Sequence, residues 1–215
     1  MTRLLPFATL TLCAVLCACG RGGTPQATAT PAKSLSVTLN AGSRGDQPWT
    51  SGAGTFAIFA STSTTPITAI ATASVSSAGT ATLALPTSAT GIESKTTSSP
   101  KAGLAGLSAG CASTLTETAP TAQAAYLDSA GFTSAQGGTP LREYTATVSG
   151  SMLRYPVYVT QDDTVSGQLT CGAAAHTVNL PYTRVWNVLV ITNTTTSGTH
   201  TIGLDDSATL HYAVK

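Results

Sequence analysis

The chain has 215 residues, of which 42% are hydrophobic and only 9% are charged. It carries 10 basic and 9 acidic side chains, and one basic residue, Arg3, lies in an N-terminal segment that we expect to be removed. A mature protein so close to neutral lacks the basic face that nucleic-acid binding requires. Ordinary globular enzymes have about a quarter of their residues charged, so the composition also disfavours a typical cytosolic enzyme.

The sequence of residues 1–19 predicts an export signal. Arg3 supplies a positive start, and the apolar run from Leu4 to Leu16 is shorter than the roughly 20 residues that cross a bilayer. The segment Leu16-Cys17-Ala18-Cys19-Gly20 resembles the bacterial lipobox. That resemblance implies that Cys19 becomes the acylated N-terminus of a protein anchored in the cell envelope, at the outer membrane or cell surface. An ordinary signal peptide cut at the same place is the alternative.

Export determines how the five cysteines are interpreted. Three of them lie in the leader, which leaves Cys111 and Cys171 in the folded part. In an oxidising compartment an isolated pair favours one disulfide, here closing a loop of about 60 residues. A reactive thiol or a thiolate metal ligand is the alternative.

The sequence divides into a tether and two β-rich parts. Residues 20–33 are rich in Gly, Pro, Thr and Ala without apolar periodicity, which is typical of a flexible tether. Residues 34–97 are predicted to form an N-terminal β-sandwich portion, residues 98–120 a linker or loop, and residues 121–215 a C-terminal β domain. A short helix is predicted between Pro120 and Phe132, and Pro156 predicts an edge strand because proline cannot donate to a ladder. The predicted strands are 35–39, 55–60, 67–75, 80–85, 143–148, 153–160, 164–171, 176–180, 184–192, 199–204 and 208–214.

These short strands with turns between them predict an all-β fold, an antiparallel β-sandwich. One sandwich and two small immunoglobulin- or transthyretin-like sandwiches in tandem both fit. The segments SSAGTATLALP, YPVYVTQDDTVSGQLTC and VWNVLVIT resemble uncharacterised envelope lipoproteins of S-layer-bearing bacteria. The first segment also resembles transthyretin-like or carboxypeptidase-regulatory-like sandwich repeats. The resemblance implies an architecture and carries over no catalytic residue.

The three histidines, His176, His200 and His211, all lie near the C-terminus and are candidate ligands for copper or zinc. A hairpin of 199–204 with 208–214 that turns at Asp205-Asp206 would place His200 opposite His211. A register that instead pairs Ile202 with Leu210 sends the two imidazoles to opposite faces. The copper-type superoxide dismutases share the compartment and the fold class, but the chain lacks their His-x-His strand motif.

Three further patterns have structural and functional interpretations. Asp162-Asp163 and Asp205-Asp206 would contribute to a calcium loop or would simply form turns, and turn formation is the favoured interpretation. Gly106 to Gly110 match G-x-S-x-G around Ser108, a hydrolase motif that needs a strand-to-helix elbow. The aromatic residues of the C-terminal half would line a glycan- or protein-binding face or fill the core, which we expect for Trp186.

The sequence therefore predicts a lipid-anchored envelope β-sandwich protein, more consistent with a non-enzyme than with an enzyme. Its expected partners are the membrane, through acylated Cys19, and an envelope or S-layer protein. No cofactor is expected on this hypothesis. The alternative is an exported copper or zinc protein, with a superoxide dismutase-like activity as its enzymatic form.

Overall fold

The computed structural model describes residues 33–42, 45–59, 69–86, 92, 98–127, 129–134, 137–143, 145–147, 150–194, 199–207 and 209–214. The leader, Cys19 and most of the predicted tether therefore lie outside the described residues. In the described part no helix is long and apolar enough to span a membrane. The secondary structure consists of β1 Lys33–Asn40, β2 Gly54–Phe59, β3 Ala69–Val75, β4 Thr80–Leu85, α1 Pro100–Leu107, β5 Ala112–Ser113, β6 Thr116–Glu117, β7 Ala124–Tyr126, β8 Ser129–Ser134, β9 Gly137–Glu143, β10 Thr145–Thr147, β11 Gly150–Val159, β12 Asp163–Cys171, β13 Ala174–Tyr182, β14 Val185–Thr194, β15 Thr199–Leu204 and β16 Leu210–Val214.

The largest sheet has seven strands in the order β3-β2-β8-β9-β16-β1-β4. Buried and exposed residues alternate along β1 and β3, so that each strand turns one face to the interior. Leu35, Val37, Phe56 and Leu83 belong to the first core, which this inner face encloses. The sheet curves so far that its two end strands, β3 and β4, lie beside each other at a tight turn.

A five-stranded sheet, β10-β11-β14-β15 with β7 paired to β11, lies between this core and a second one. Tyr158 and Trp186 point into the first core, and the neighbouring residues Val157 and Leu189 point into the second. The second core is closed by α1 and by a four-stranded sheet, β13-β12-β5 with β6 paired to β12. The protein is thus an all-β sandwich of several antiparallel sheets, as the sequence predicted.

The boundary predicted at 98–120 does not coincide with the boundaries between the sheets. The seven-stranded sheet takes β1 to β4 from the N-terminal portion and β8, β9 and β16 from the C-terminal part. Its only parallel pair among the described strands joins β1 to β16, with Val37 opposite Leu210. The N-terminal portion therefore completes its sheet with strands from the far end of the chain.

Residues 98–120, predicted as a linker or loop, contain the helix α1 and the strands β5 and β6, so that prediction was wrong. Ser99 caps α1 by accepting a hydrogen bond from the Ala102 N–H, and Pro100 occupies the first turn. Only two residues of the helix are buried, Pro100 and Leu104, which left too short an apolar pattern to recognise.

The short helix predicted between Pro120 and Phe132 is also wrong, because the chain there forms β7 and β8. Ala124 and Ala125 suit a helix by propensity, but they lie in the strand β7, where Ala125 is buried in the first core and Ala124 in the second. Tertiary burial overrides propensity in this segment.

Pro156 does not mark an edge strand, since β11 pairs with β14 on one side and with β10 and β7 on the other. Pro156 faces Val188 of β14, whose carbonyl and N–H are engaged by Asp205 N–H and the Asp206 carboxylate instead. The Pro156 backbone points the other way, where its carbonyl accepts a 3.0 Å bond from Leu127 N–H. The missing N–H would point to that same side, where Pro156 lies just beyond the last pair of the β7–β11 ladder, Val157 with Tyr126, so no ladder bond is lost.

Candidate functional site

Cys111 and Cys171 form a disulfide, as predicted, with an S–S distance of 2.02 Å. Cys171 ends β12, and Cys111 immediately precedes β5, whose Ala112 pairs with Thr170. The sheet register thus places the two cysteines side by side. The bond ties the segment after α1 to the end of β12, an inner strand of the four-stranded sheet.

The three histidines lie in three different sheets. His176 faces Leu169 within the four-stranded sheet, His200 faces Asn193 in the five-stranded sheet, and His211 faces Thr38 in the seven-stranded sheet. The hairpin predicted from 199–204 and 208–214 does not form, in either register, because β15 pairs with β14 and β16 pairs with β1 and β9. The alternation of apolar and polar residues predicts which face of each strand is buried, but it does not predict which strands pair with each other.

This arrangement removes the structural premise of the metal hypothesis. Among the side chains that the structure describes, no group of three His, Cys, Asp or Glu residues could hold a metal ion. His211 is half-buried, and desolvation together with the nearby charge of Arg154 lowers its pKa below the usual value. We therefore expect its imidazole to be neutral at pH 7.

Asp205-Asp206 lies in the connection between β15 and β16, as favoured above, and Asp162 lies in the connection before β12, but Asp163 is the first residue of β12 and not a turn residue. Asp205 accepts hydrogen bonds from the N–H and hydroxyl of Ser207, and these bonds lower its pKa. Asp206 accepts from Val188 N–H and forms an ion pair with Lys33, the first residue of β1. These contacts fasten the β15–β16 connection to two sheets.

Asp163 is 3% exposed and connects the 118–119 segment to β12. Its Oδ1 accepts three hydrogen bonds, from Thr118 N–H at 3.0 Å, the Thr118 hydroxyl at 3.1 Å and Ala119 N–H at 2.8 Å. Tyr182 lies opposite Asp163 across the β12–β13 pair.

The hydroxyl of Tyr182 is 3.1 Å from that of Tyr126, which donates in turn to the Pro100 carbonyl at 2.8 Å. Because the single Tyr126 proton is used on Pro100, Tyr182 donates to Tyr126. Burial raises the pKa of both phenols, that of Tyr182 to about 12, so both remain protonated at neutral pH. This buried chain of hydrogen bonds connects α1 to the five-stranded sheet through Tyr126 and to the four-stranded sheet through Tyr182.

Ser108 lacks the context of a hydrolase nucleophile. It follows the last residue of α1 and donates its N–H to the Leu104 carbonyl as a helix cap. The G-x-S-x-G chemistry requires the serine between a strand and a following helix, and here the helix precedes it.

The aromatic residues belong mostly to the core. Tyr158, Tyr182, Trp186 and Tyr212 are each at most 6% exposed. Trp186, expected in the core, packs edge-on against Tyr158 at 5.3 Å and donates its indole N–H to the Pro86 carbonyl. These four side chains therefore do not form the binding face considered from the sequence.

A surface feature that sequence analysis missed lies on the outer side of the seven-stranded sheet. It is a groove of about 680 Å³ that crosses β4 and β1 between β3 and the start of β16. Its floor includes the cross-strand pairs Ser36–Thr82 and Thr38–Thr80. We call it the hydroxyl groove because its lining includes seven hydroxyl-bearing residues: Ser36, Thr38, Ser74, Ser76, Thr80, Thr82 and Thr209.

The remaining lining residues, Val37, Val75 and Ala81, are apolar, so among the residues that the structure describes no charged or aromatic side chain lines the groove. The signal that could have found it is the alternation of Ser and Thr with apolar residues in SLSVT and TATLA. Such alternation is typical of any half-buried strand, whose polar positions form the solvent face. The groove itself forms only in the tertiary fold, where β3 and β4 lie beside each other next to β1.

No protein-family model matches the chain. Neither a curated protein nor a solved structure matches it either. The resemblance to envelope lipoproteins and to transthyretin-like repeats therefore stays a prediction from the sequence.

Proposed function

We propose that this is an exported, lipid-anchored β-sandwich protein of the bacterial cell envelope, with a structural or protein-binding role. The lipobox-like segment ending at Cys19 is the source of the anchoring part. Stable attachment of a neutral protein needs more than one acyl chain, which a lipidated N-terminal cysteine would supply. An S-layer or outer-membrane complex is the partner that this setting favours.

The observation that carries the proposal is the Cys111–Cys171 disulfide. Disulfides form and persist in exported proteins and are rare in the cytosol. It occurs between the two cysteines that remain once the leader is set aside. The sparse charge of the chain is a second support, because association through apolar and hydroxyl surfaces does not depend on charge steering.

Metabolic labelling with an alkyne fatty acid in a bacterial host tests the anchor. We expect the wild-type chain to be labelled and to fractionate with membranes, and Cys19→Ser to lose both properties. Cys17→Ser is the matched control, since it changes a neighbouring cysteine of the same segment and should keep the label. Unlabelled wild-type protein, or label retained in Cys19→Ser, would contradict the anchor.

The partner is tested by photo-crosslinking of the anchored protein in intact cells. We expect one envelope protein to be captured and then to bind the purified Gly20–Lys215 protein saturably. If no captured protein binds the purified chain, the protein-binding role is refuted while the anchor is judged separately from the labelling.

A further inference from the structure

We propose that the hydroxyl groove binds an uncharged glycan chain. The inference goes beyond the proposed function, which concerns attachment and a protein partner. It depends on three observations: the chemistry of the lining, the lack of charge among its described residues, and the pairing of the two strands that form its floor.

The lining is rich in groups that both donate and accept hydrogen bonds. Each Ser or Thr hydroxyl has one proton and two lone pairs, the same equipment as a sugar hydroxyl. The Ser76 and Thr80 hydroxyls lie 2.8 Å apart and bond to each other. Within the described part of the chain, the hydroxyls of the other groove residues make no hydrogen bond, so they are available to a ligand.

The spacing of these groups is set by the sheet. Ser36 and Thr82 are direct cross-strand neighbours, as are Thr38 and Thr80, so each pair of Cβ atoms is about 5 Å apart. Successive outward positions on one strand are separated by about 7 Å. The floor is thus a fixed grid of hydroxyls on paired strands, and little ordering is required when a ligand binds.

The lack of charge selects the ligand class. A charged ligand would meet no counter-charge among the described lining residues, so the lining favours an uncharged ligand. The volume of about 680 Å³ lies within the range of roughly 300–1,000 Å³ that is typical of small-ligand sites.

The floor favours a glycan over an added peptide strand. Peptide strands bind to sheets through the backbone groups of an unpaired edge. Here β1 and β4 pair with each other from Lys33–Leu85 to Thr38–Thr80, so their facing backbone groups are already used. The other edge of β4, the end strand of the sheet, lies beside β3, and a 2.9 Å bond from the Ser76 N–H to the Thr80 carbonyl joins the two at their turn. An added peptide strand would have to separate β3 from β4, whereas a glycan can bind the hydroxyls of the floor.

The groove also lies away from the end where the chain would be attached. Ser36 and Thr38 follow Lys33 by three and five residues along β1, which corresponds to about 10 and 17 Å. A tether that ends at Lys33 would therefore leave the groove accessible beyond the attachment point.

The test uses the soluble, oxidised Gly20–Lys215 protein, so that it is independent of lipidation. The protein is applied to an array of neutral and acidic oligosaccharides, and the tightest neutral ligand is then measured by titration calorimetry. Thr82→Val and Ser36→Ala remove hydroxyls from the floor, and together they should weaken binding at least about tenfold. Thr72→Val and Ser34→Ala are matched controls on the outward faces of β3 and β1, outside the groove, and should bind like wild type.

Urea unfolding of each variant confirms that the fold is retained. The proposal is overturned if no neutral oligosaccharide binds, if acidic ones bind better, or if the groove and control variants lose binding equally. Binding of a neutral Thr-rich peptide at the groove in place of the oligosaccharides overturns it in favour of a protein ligand. Equal affinity for a free monosaccharide overturns the assignment to a chain.

Discussion

Removal of the Cys111–Cys171 disulfide should cost a large part of the stability of the protein. The bond joins residues 60 positions apart, and the loop-entropy relation gives about 4 kcal/mol for a loop of that length. Single domains are typically stable by about 5–15 kcal/mol, so the reduced protein should remain folded but become far easier to unfold.

Urea unfolding of the Gly20–Lys215 protein, followed by tryptophan fluorescence, measures this effect. With a slope of about 2 kcal/mol per molar urea, the midpoint should fall by about 2 M when reductant is added. The double variant Cys111→Ala/Cys171→Ala should unfold at the midpoint of the reduced wild type, and reductant should not change it further. That variant separates loss of the cross-link from other effects of the reductant.

Two results would refute this reasoning. Alkylation of the non-reduced protein that modifies both cysteines would show that the bond does not form. A stability change below about 1 kcal/mol, with the bond present, would show that the unfolded chain gains little freedom from its removal. The first result would also remove the main support for export.

Three further perturbations are predicted. Gly79→Ala should destabilise by about 2 kcal/mol more than Gly52→Ala in urea unfolding, because both have positive φ but only at Gly79 would a Cβ lie 2.6 Å from Trp49; equal losses would argue against the clash. Asp163→Ala should cost about 3–5 kcal/mol, since three donors lose their acceptor, and Asp162→Ala, on the exposed neighbour, under about 1.5 kcal/mol. Burial raises the pKa of Tyr182 from 10.0 to about 12, so the unfolded chain releases this proton first as the pH rises. The contribution of this phenol to the free energy of unfolding should thus be fully present below about pH 10, and the free energy should fall by up to about 3 kcal/mol towards pH 12. The fall should be smaller in Tyr182→Phe, and unfolding midpoints across that pH range measure it.

The strands were the part of the fold that sequence could predict, because their burial alternates. β1 and β4 show this most clearly: Leu35 and Leu83 face the core and Ser36 and Thr82 face outward. Partners were not predictable by the same logic. Leu210 and Ile202 have the right spacing to pair with each other, yet Leu210 pairs with Val37 at the other end of the chain and Ile202 pairs with Ile191 on the preceding strand.

The helix α1 shows a different limit. Its start carries a recognisable signal in Ser99 and Pro100, but Gly103 and Gly106 lower the helix propensity of its eight residues. Gly103 is required by tertiary packing, since a Cβ at that position would collide with the ring of Tyr126. A residue that weakens the local signal is therefore needed for the helix to reach the second core.

The position of β1 connects the proposed anchor to the rest of the fold. Its first residues pair with β4, and Lys33 is held from another direction by the ion pair with Asp206. Further along, Val37 and Thr38 pair with β4 and β16 at once, in the interior of the seven-stranded sheet. A pull on the tether would thus act on an interior strand, next to the end strand β4, and both ladders must break before the strand is released. An edge strand in that position would be held by a single ladder, so this topology suits a domain that is held by its N-terminus at a surface.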